Sequence, residues 1–131
     1  RGRYKEDMRH KYGFYTWVNG DTFEGNWENG KMTGRGWKKM NNGDSYSGTW
    51  KDDKAHGLGI KNFHCGDRHE GYYVRDKRNG FGAYSWANGD SYEGEWLRGK
   101  MSGIGIKRME SGDIYGEYNT YFDYFCRVSM Y

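Results

Sequence analysis

Tyr92-Glu-Gly-Glu-Trp-Leu-Arg-Gly-Lys-Met-Ser-Gly-Ile-Gly105 is the stretch on which the reading of the fold turns. Shifted by 23 residues it meets versions of itself along the chain. Phe23-Glu-Gly-Asn-Trp27 leads to Gly34-Arg-Gly36, Tyr46-Ser-Gly-Thr-Trp50 to Gly57-Leu-Gly59, and His69-Glu-Gly-Tyr-Tyr73 to Gly80-Phe-Gly82. Gly2, Tyr4 and Gly13 stand at the same offset before Gly25, Trp27 and Gly36. A fixed period of this length marks a tandem array of small structural units.

The array divides into an incomplete copy at 1–22, full copies at 23–45, 46–68, 69–91 and 92–114, and a degenerate start at 115–118. Each copy predicts a β-hairpin. Its opening Tyr-x-Gly-x-Trp alternates with period two, as a half-buried strand does. A polar segment such as Glu28–Gly34 then leads to a second strand after Gly-x-Gly, for example Gly82-Ala-Tyr-Ser-Trp86. Asn19-Gly-Asp21, Asn42-Gly-Asp44 and Asn88-Gly-Asp90 close their copies, and Asn-Gly predicts a tight turn with φ > 0 at both central residues. The regular strand glycines are expected to leave room for a neighbouring ring across the backbone.

Composition narrows the architecture. Leu, Ile, Val and Phe total only 15 residues, a fraction typical of disordered chains, yet the net charge is only +3. With 13 Tyr and 6 Trp the apolar area comes from aromatic rings, and scarce aliphatics exclude a thick two-layer core. The expectation is an all-β, single-layer antiparallel ribbon of hairpins. Tyr118, Tyr121, Phe122 and Phe125 follow helical spacing, which predicts a capping helix over Asn119–Met130 within a cap at 119–131. The N-terminal edge shows no cap, so it is expected to extend upstream or to pair with another molecule, as in a homodimer.

Mixed charge, with 21 basic and 18 acidic residues, argues against nucleic-acid binding. Cys65 and Cys126 form no close metal or redox spacing, which favours an intracellular location, and no apolar run is long enough to span a membrane. His64, Cys65 and His69 have metal-ligand residue types, but a zinc site wants four donors. The ladder Asp21, Asp44, Asp67, Asp90, Asp113 supplies one carboxylate per copy, which suits bonding to its own turn backbone better than calcium. Glu24, Glu70 and Glu93 share one position on a solvated strand face and form no catalytic pair. The reading is a chain that is not an enzyme and needs no cofactor or metal.

Two surfaces stand out for binding. Phe23, Tyr46 and Tyr92 with Trp27, Trp50 and Trp96 recur on one strand face, and Tyr84 with Trp86 on the companion strand. One layer cannot bury both faces, so these rings are candidate lining for a groove that takes a partner helix or extended peptide. Lys77, Arg78, Arg98 and Lys100 bias one ribbon edge toward positive charge and are the candidate contact for an anionic membrane. Asp52, Asp53 and Asp76 dilute that charge.

Written Tyr-x-Gly-x-Trp-x6-Gly-x-Gly-x6-Gly-Asp, the repeat resembles the MORN repeat (membrane occupation and recognition nexus) from residue 1 to about 118. Departures are Lys11 at a glycine position, His69 and Tyr73 in the third full copy, and the shortened Tyr115–Tyr118. The resemblance implies a twisted ribbon with an open groove and a role in attachment. In that family such arrays serve as scaffolds in cytoskeletal, ciliary, organelle-division and junctional proteins. They also occur as accessory segments of phosphoinositide kinases, which makes a membrane-targeting segment of a larger enzyme the alternative reading.

Overall fold

Ten strands follow one another in space as they do in sequence, forming one antiparallel sheet. The computed structural model describes residues 12–116. The strands are β1 (Tyr12–Thr16), β2 (Thr22–Glu28), β3 (Lys31–Lys39), β4 (Ser45–Lys51), β5 (Lys54–Asn62), β6 (Arg68–Val74), β7 (Lys77–Ser85), β8 (Ser91–Leu97), β9 (Lys100–Arg108) and β10 (Ile114–Gly116). The fold is all-β, as the sequence predicts, and every strand pairing is with a neighbour in the chain. The capping helix expected over Asn119–Met130 lies outside the described residues.

Both kinds of turn differ from expectation. In the Asn-Gly-Asp segment Gly20, Gly43 and Gly89 have positive φ and their asparagines do not. Trp17 N donates to Asp21 O and Gly20 N to Trp17 O, which closes a three-residue loop ending in a left-handed glycine. The asparagine side chain works instead as an acceptor, with Asn19 Oδ1 taking the Asp21 N–H and Asn42 Oδ1 the Asp44 N–H. The two-residue turns with consecutive positive φ sit at the opposite edge, at Asn29-Gly30, Asp52-Asp53, Arg75-Asp76 and Arg98-Gly99. Only the first of these carries the usual sequence signal, which is why the connecting segment reads as longer than it is.

The aspartate ladder also does something other than predicted. Four of its carboxylates reach the next copy's turn: Asp21 Oδ1 accepts from Asn41 N at 2.7 Å, and Asp44, Asp67 and Asp90 accept from His64, Ala87 and Glu110 N at 2.8 Å. The opposite edge mirrors this. Asp53 Oδ1 accepts from Met32 N at 2.8 Å and Asp76 Oδ1 from Ala55 N at 2.7 Å. Consecutive hairpins from β2–β3 to β6–β7 are therefore tied at both edges by charge-assisted bonds, each worth about 1.5–3 kcal/mol.

The core lies on one face of the sheet. Trp27, Phe23, Trp50, Tyr46, Tyr73, His69, Trp96 and Tyr92 succeed one another edge to face, with centroids 5.0–5.3 Å apart and planes at 83–90°. Phe23, Tyr46 and His69 each touch the Trp-position ring of their own copy and that of the next. The rings fit because the backbone beneath is glycine. A methyl at Gly36 would overlap Phe23, at Gly59 Tyr46, and at Gly105 Tyr92. Trp50 and Trp96 donate Nε1–H to the carbonyls of Gly36 and Gly82 at 3.0 and 3.2 Å.

His69 is the one imidazole in this stack and is fully buried. Nδ1 lies 2.8 Å from Tyr73 Oη, while Nε2 has no partner among the described residues. Burial, reinforced by the charges of Arg78 and Lys61, pushes its pKa down to about 3. The folded protein therefore keeps it neutral where the unfolded chain, titrating near ~6.5, takes up a proton.

Two predictions follow from this packing. Gly59→Ala should lower stability by about 1–3 kcal/mol through the clash with Tyr46, read as a lowered urea midpoint. The His69 contribution is complete above its unfolded pKa and falls with pH below it. Unfolding free energy should thus drop by about 2 kcal/mol between pH 7 and pH 5. His69→Phe, which copies the residue at position 23, should flatten that slope.

Candidate interaction surface

Alternation along the strands sends the remaining apolar side chains to the other face. Tyr12, Phe14, Trp37, Leu58, Tyr72, Val74, Phe81, Leu97, Ile104, Ile106 and Ile114 are all exposed there. Register aligns them in rows across the strands. One row runs Phe14, Glu24, Trp37, Ser47, Ile60, Glu70, Ala83, Glu93, Ile106 through successive cross-strand pairs. Apolar residues therefore alternate from strand to strand with Glu24, Ser47, Glu70 and Glu93. In an adjacent row Leu58 pairs with Tyr72 and Phe81 with Glu95. Phe81 and Ile104 are 61% and 68% exposed, values that a ring or branched chain in a core does not show.

This surface grows more apolar along the array. The position between the two glycines is Arg35, then Leu58, Phe81 and Ile104. The position after the Trp-position ring is Glu28, Lys51, then Val74 and Leu97. Sequence reasoning concentrated on residues that recur and so passed over these, which vary. Their signal was period-two parity: each lies one residue out of phase with the rings.

The predicted groove residues are placed differently from expectation. Phe23, Tyr46, Trp50, Tyr84, Trp86, Tyr92 and Trp96 are buried, and Trp27 is partly buried against the cluster that holds Phe23, Tyr46 and Trp50. They form the core, which is a correction: rings packed on one another over glycine have little surface left for a partner.

Of the candidate cationic edge, Lys77, Arg98 and Lys100 are exposed, and with Lys61, Arg78 and Asp76 they line one cleft of about 260 Å³. Arg78 departs from the others. It turns onto the ring face, donates Nη2–H to Gly99 O at 2.8 Å, and places its guanidinium 4.8 Å from the Trp96 ring centre. Burial lowers its pKa, opposed by Tyr84, Tyr73 and Asp67. Lys61 is likewise lowered by burial, with Asp44 opposing.

The structure separates the metal-type residues. His64 Nδ1 lies 3.2 Å from Asp44 Oδ1, while His69 is inside the ring stack. Among the described residues no group of three or more His, Cys, Asp and Glu is arranged to hold a metal ion. Glu24, Glu70 and Glu93 are exposed on separate strands.

A comparison with curated proteins gives no match. The family model of the MORN repeat matches residues 1–22, 23–45, 46–67, 69–91 and 92–114. Those units hold the hairpins whose rings, glycines and aspartates build the sheet, and on that coverage the chain belongs to the MORN-repeat family.

Proposed function

We propose that this chain is a non-catalytic scaffold that holds a partner protein. MORN arrays suggest modules for protein or membrane interaction, and one observation favours a protein partner here. The sheet directs its recurring rings to one face and leaves a broad set of large apolar side chains, Leu58, Tyr72, Phe81 and Ile104 among them, exposed on the other. Exposed contiguous apolar surface is a mark of partner sites. The docking surface of this reading is therefore the face away from the ring stack.

A second reading, anionic phospholipid at the turn edge, is favoured by the recurrence of Lys31, Lys54, Lys77 and Lys100 directly after the two-residue turns. Spaced two strands or about 10 Å apart, such a row is worth about 1 kcal/mol per residue at an acidic surface. The aspartates of those turns, Asp53 and Asp76, are engaged with backbone but still oppose it.

Affinity capture separates the two readings. Leu58→Ser/Phe81→Ser/Ile104→Ser should abolish capture of the protein partner with the unfolding midpoint unchanged, whereas Trp50→Ala should cost about 3–5 kcal/mol of stability. Retained capture by the triple variant would sink the protein-docking surface. Under the second reading, Lys77→Glu/Lys100→Glu should release the chain from phosphatidylserine vesicles in a co-sedimentation assay; binding that persists would remove that reading.

A further inference from the structure

We infer that the face opposite the ring stack is built for an amphipathic helix that lies across the strands and carries a Lys or Arg at every seventh position. This rests on the protein-docking reading above and adds the partner's chemistry to it.

The first argument is about backbone. The main-chain groups in the middle of the sheet pair with neighbouring strands. A peptide on the face receives no ladder bonds, so it must satisfy its own N–H and C=O groups, and a helix does so. The second argument is direction. Equivalent positions of successive copies run across the strands, so the band from Trp37 to Ile106 crosses six strand spacings, about 29 Å. A helix of roughly 20 residues matches that length.

Charge and spacing set the sequence of the occupant. Glu70 and Glu93 hold the same position in neighbouring copies, two strands and about 9.6 Å apart, and Glu24 continues the row beyond Ser47. Seven residues of helix rise about 10.5 Å. Basic residues at that interval therefore meet the glutamates, and apolar residues between them meet Ile60, Ala83 and Ile106. Arg68 and Arg108 lie 3.6 Å from Glu70 and Glu93 at exposed pairs, which are weak and readily exchanged. The margins of the band are basic, with Lys39, Arg68 and Arg108 on one side and Lys54, Lys77 and Lys100 on the other. Central cations on the helix are thus distinguished from peripheral ones.

The test uses the full chain and two synthetic amphipathic helices of roughly 21 residues with the same leucine stripe. One has Lys at every seventh position and Glu at its outer flanks; the other has these charges exchanged. Fluorescence anisotropy should show the Lys-centred peptide binding at least about tenfold more tightly, a difference of about 1.4 kcal/mol. Glu70→Lys/Glu93→Lys should reverse that order, and Leu58→Ser/Phe81→Ser should abolish both interactions while circular dichroism and the unfolding midpoint stay unchanged. Equal affinity for the two peptides, with both still lost in Leu58→Ser/Phe81→Ser, would overturn the charge inference and leave the docking surface standing. Failure of the parent to bind either peptide would overturn the helix inference, and partner capture by the triple variant of the preceding section then decides the docking reading separately. Sedimentation showing a dimer that Phe81→Ser dissociates would overturn it in favour of a second copy on this face.

Discussion

Every ring in the core lies over the sheet to which it belongs. A two-layer protein packs one apolar face against another, but here there is no second sheet among the described residues, so the rings lie down across glycines and pack edge to face on each other. The alternation Trp27, Phe23, Trp50, Tyr46 passes from one copy to the next because Phe23 and Tyr46 each contact two Trp-position rings. Edge-to-face pairs add about 0.5–1.5 kcal/mol beyond buried area, and here they also join copies across the sheet face. The third full copy shows how much the arrangement tolerates: His69 and Tyr73 replace Tyr and Trp, yet the edge-to-face succession continues through them.

The edges solve a related problem. Hairpins in a linear array meet only their neighbours, so its stability depends on the unit and on each junction. The carboxylates of Asp44 and Asp67 at one edge, and of Asp53 and Asp76 at the other, accept backbone N–H groups about twenty residues away. Left-handed φ at Asp53 and Asp76 is compatible with that role, since short polar side chains tolerate the conformation and the bond to the adjacent hairpin holds it. One residue type thus closes the turn edge and ties it to its neighbour.

These two devices leave the opposite face with little structural duty beyond the bonds of Asn26, Thr49 and Glu95 to neighbouring backbone. Positions there vary from copy to copy, from Arg35 and Thr49 to Leu58 and Tyr72 and then Phe81 and Glu95. A surface that the fold constrains lightly is available to recognition, and in this chain it becomes more apolar along the array, with glutamate at one position of three copies, Glu24, Glu70 and Glu93. The division of labour is between recurring residues that build and varying residues that identify the copy.

The 23-residue period, the hairpin unit, the all-β class and the use of glycine beneath rings were legible in the sequence because they depend on local spacing and residue size. The roles of the aspartates and the two turn types were not. Asp67 bonding Ala87 N is a contact between turns of different copies, and residues such as Asp52-Asp53 and Arg75-Asp76 enter a left-handed turn without the glycine that ordinarily announces it. Which face keeps its apolar groups in solvent was also beyond sequence alone. Period two assigns Trp50 and Leu58 to opposite faces, but only cross-copy packing decides that the Trp50 ring is consumed in the core while Leu58 stays exposed, because burial is settled by what stands above each face in three dimensions.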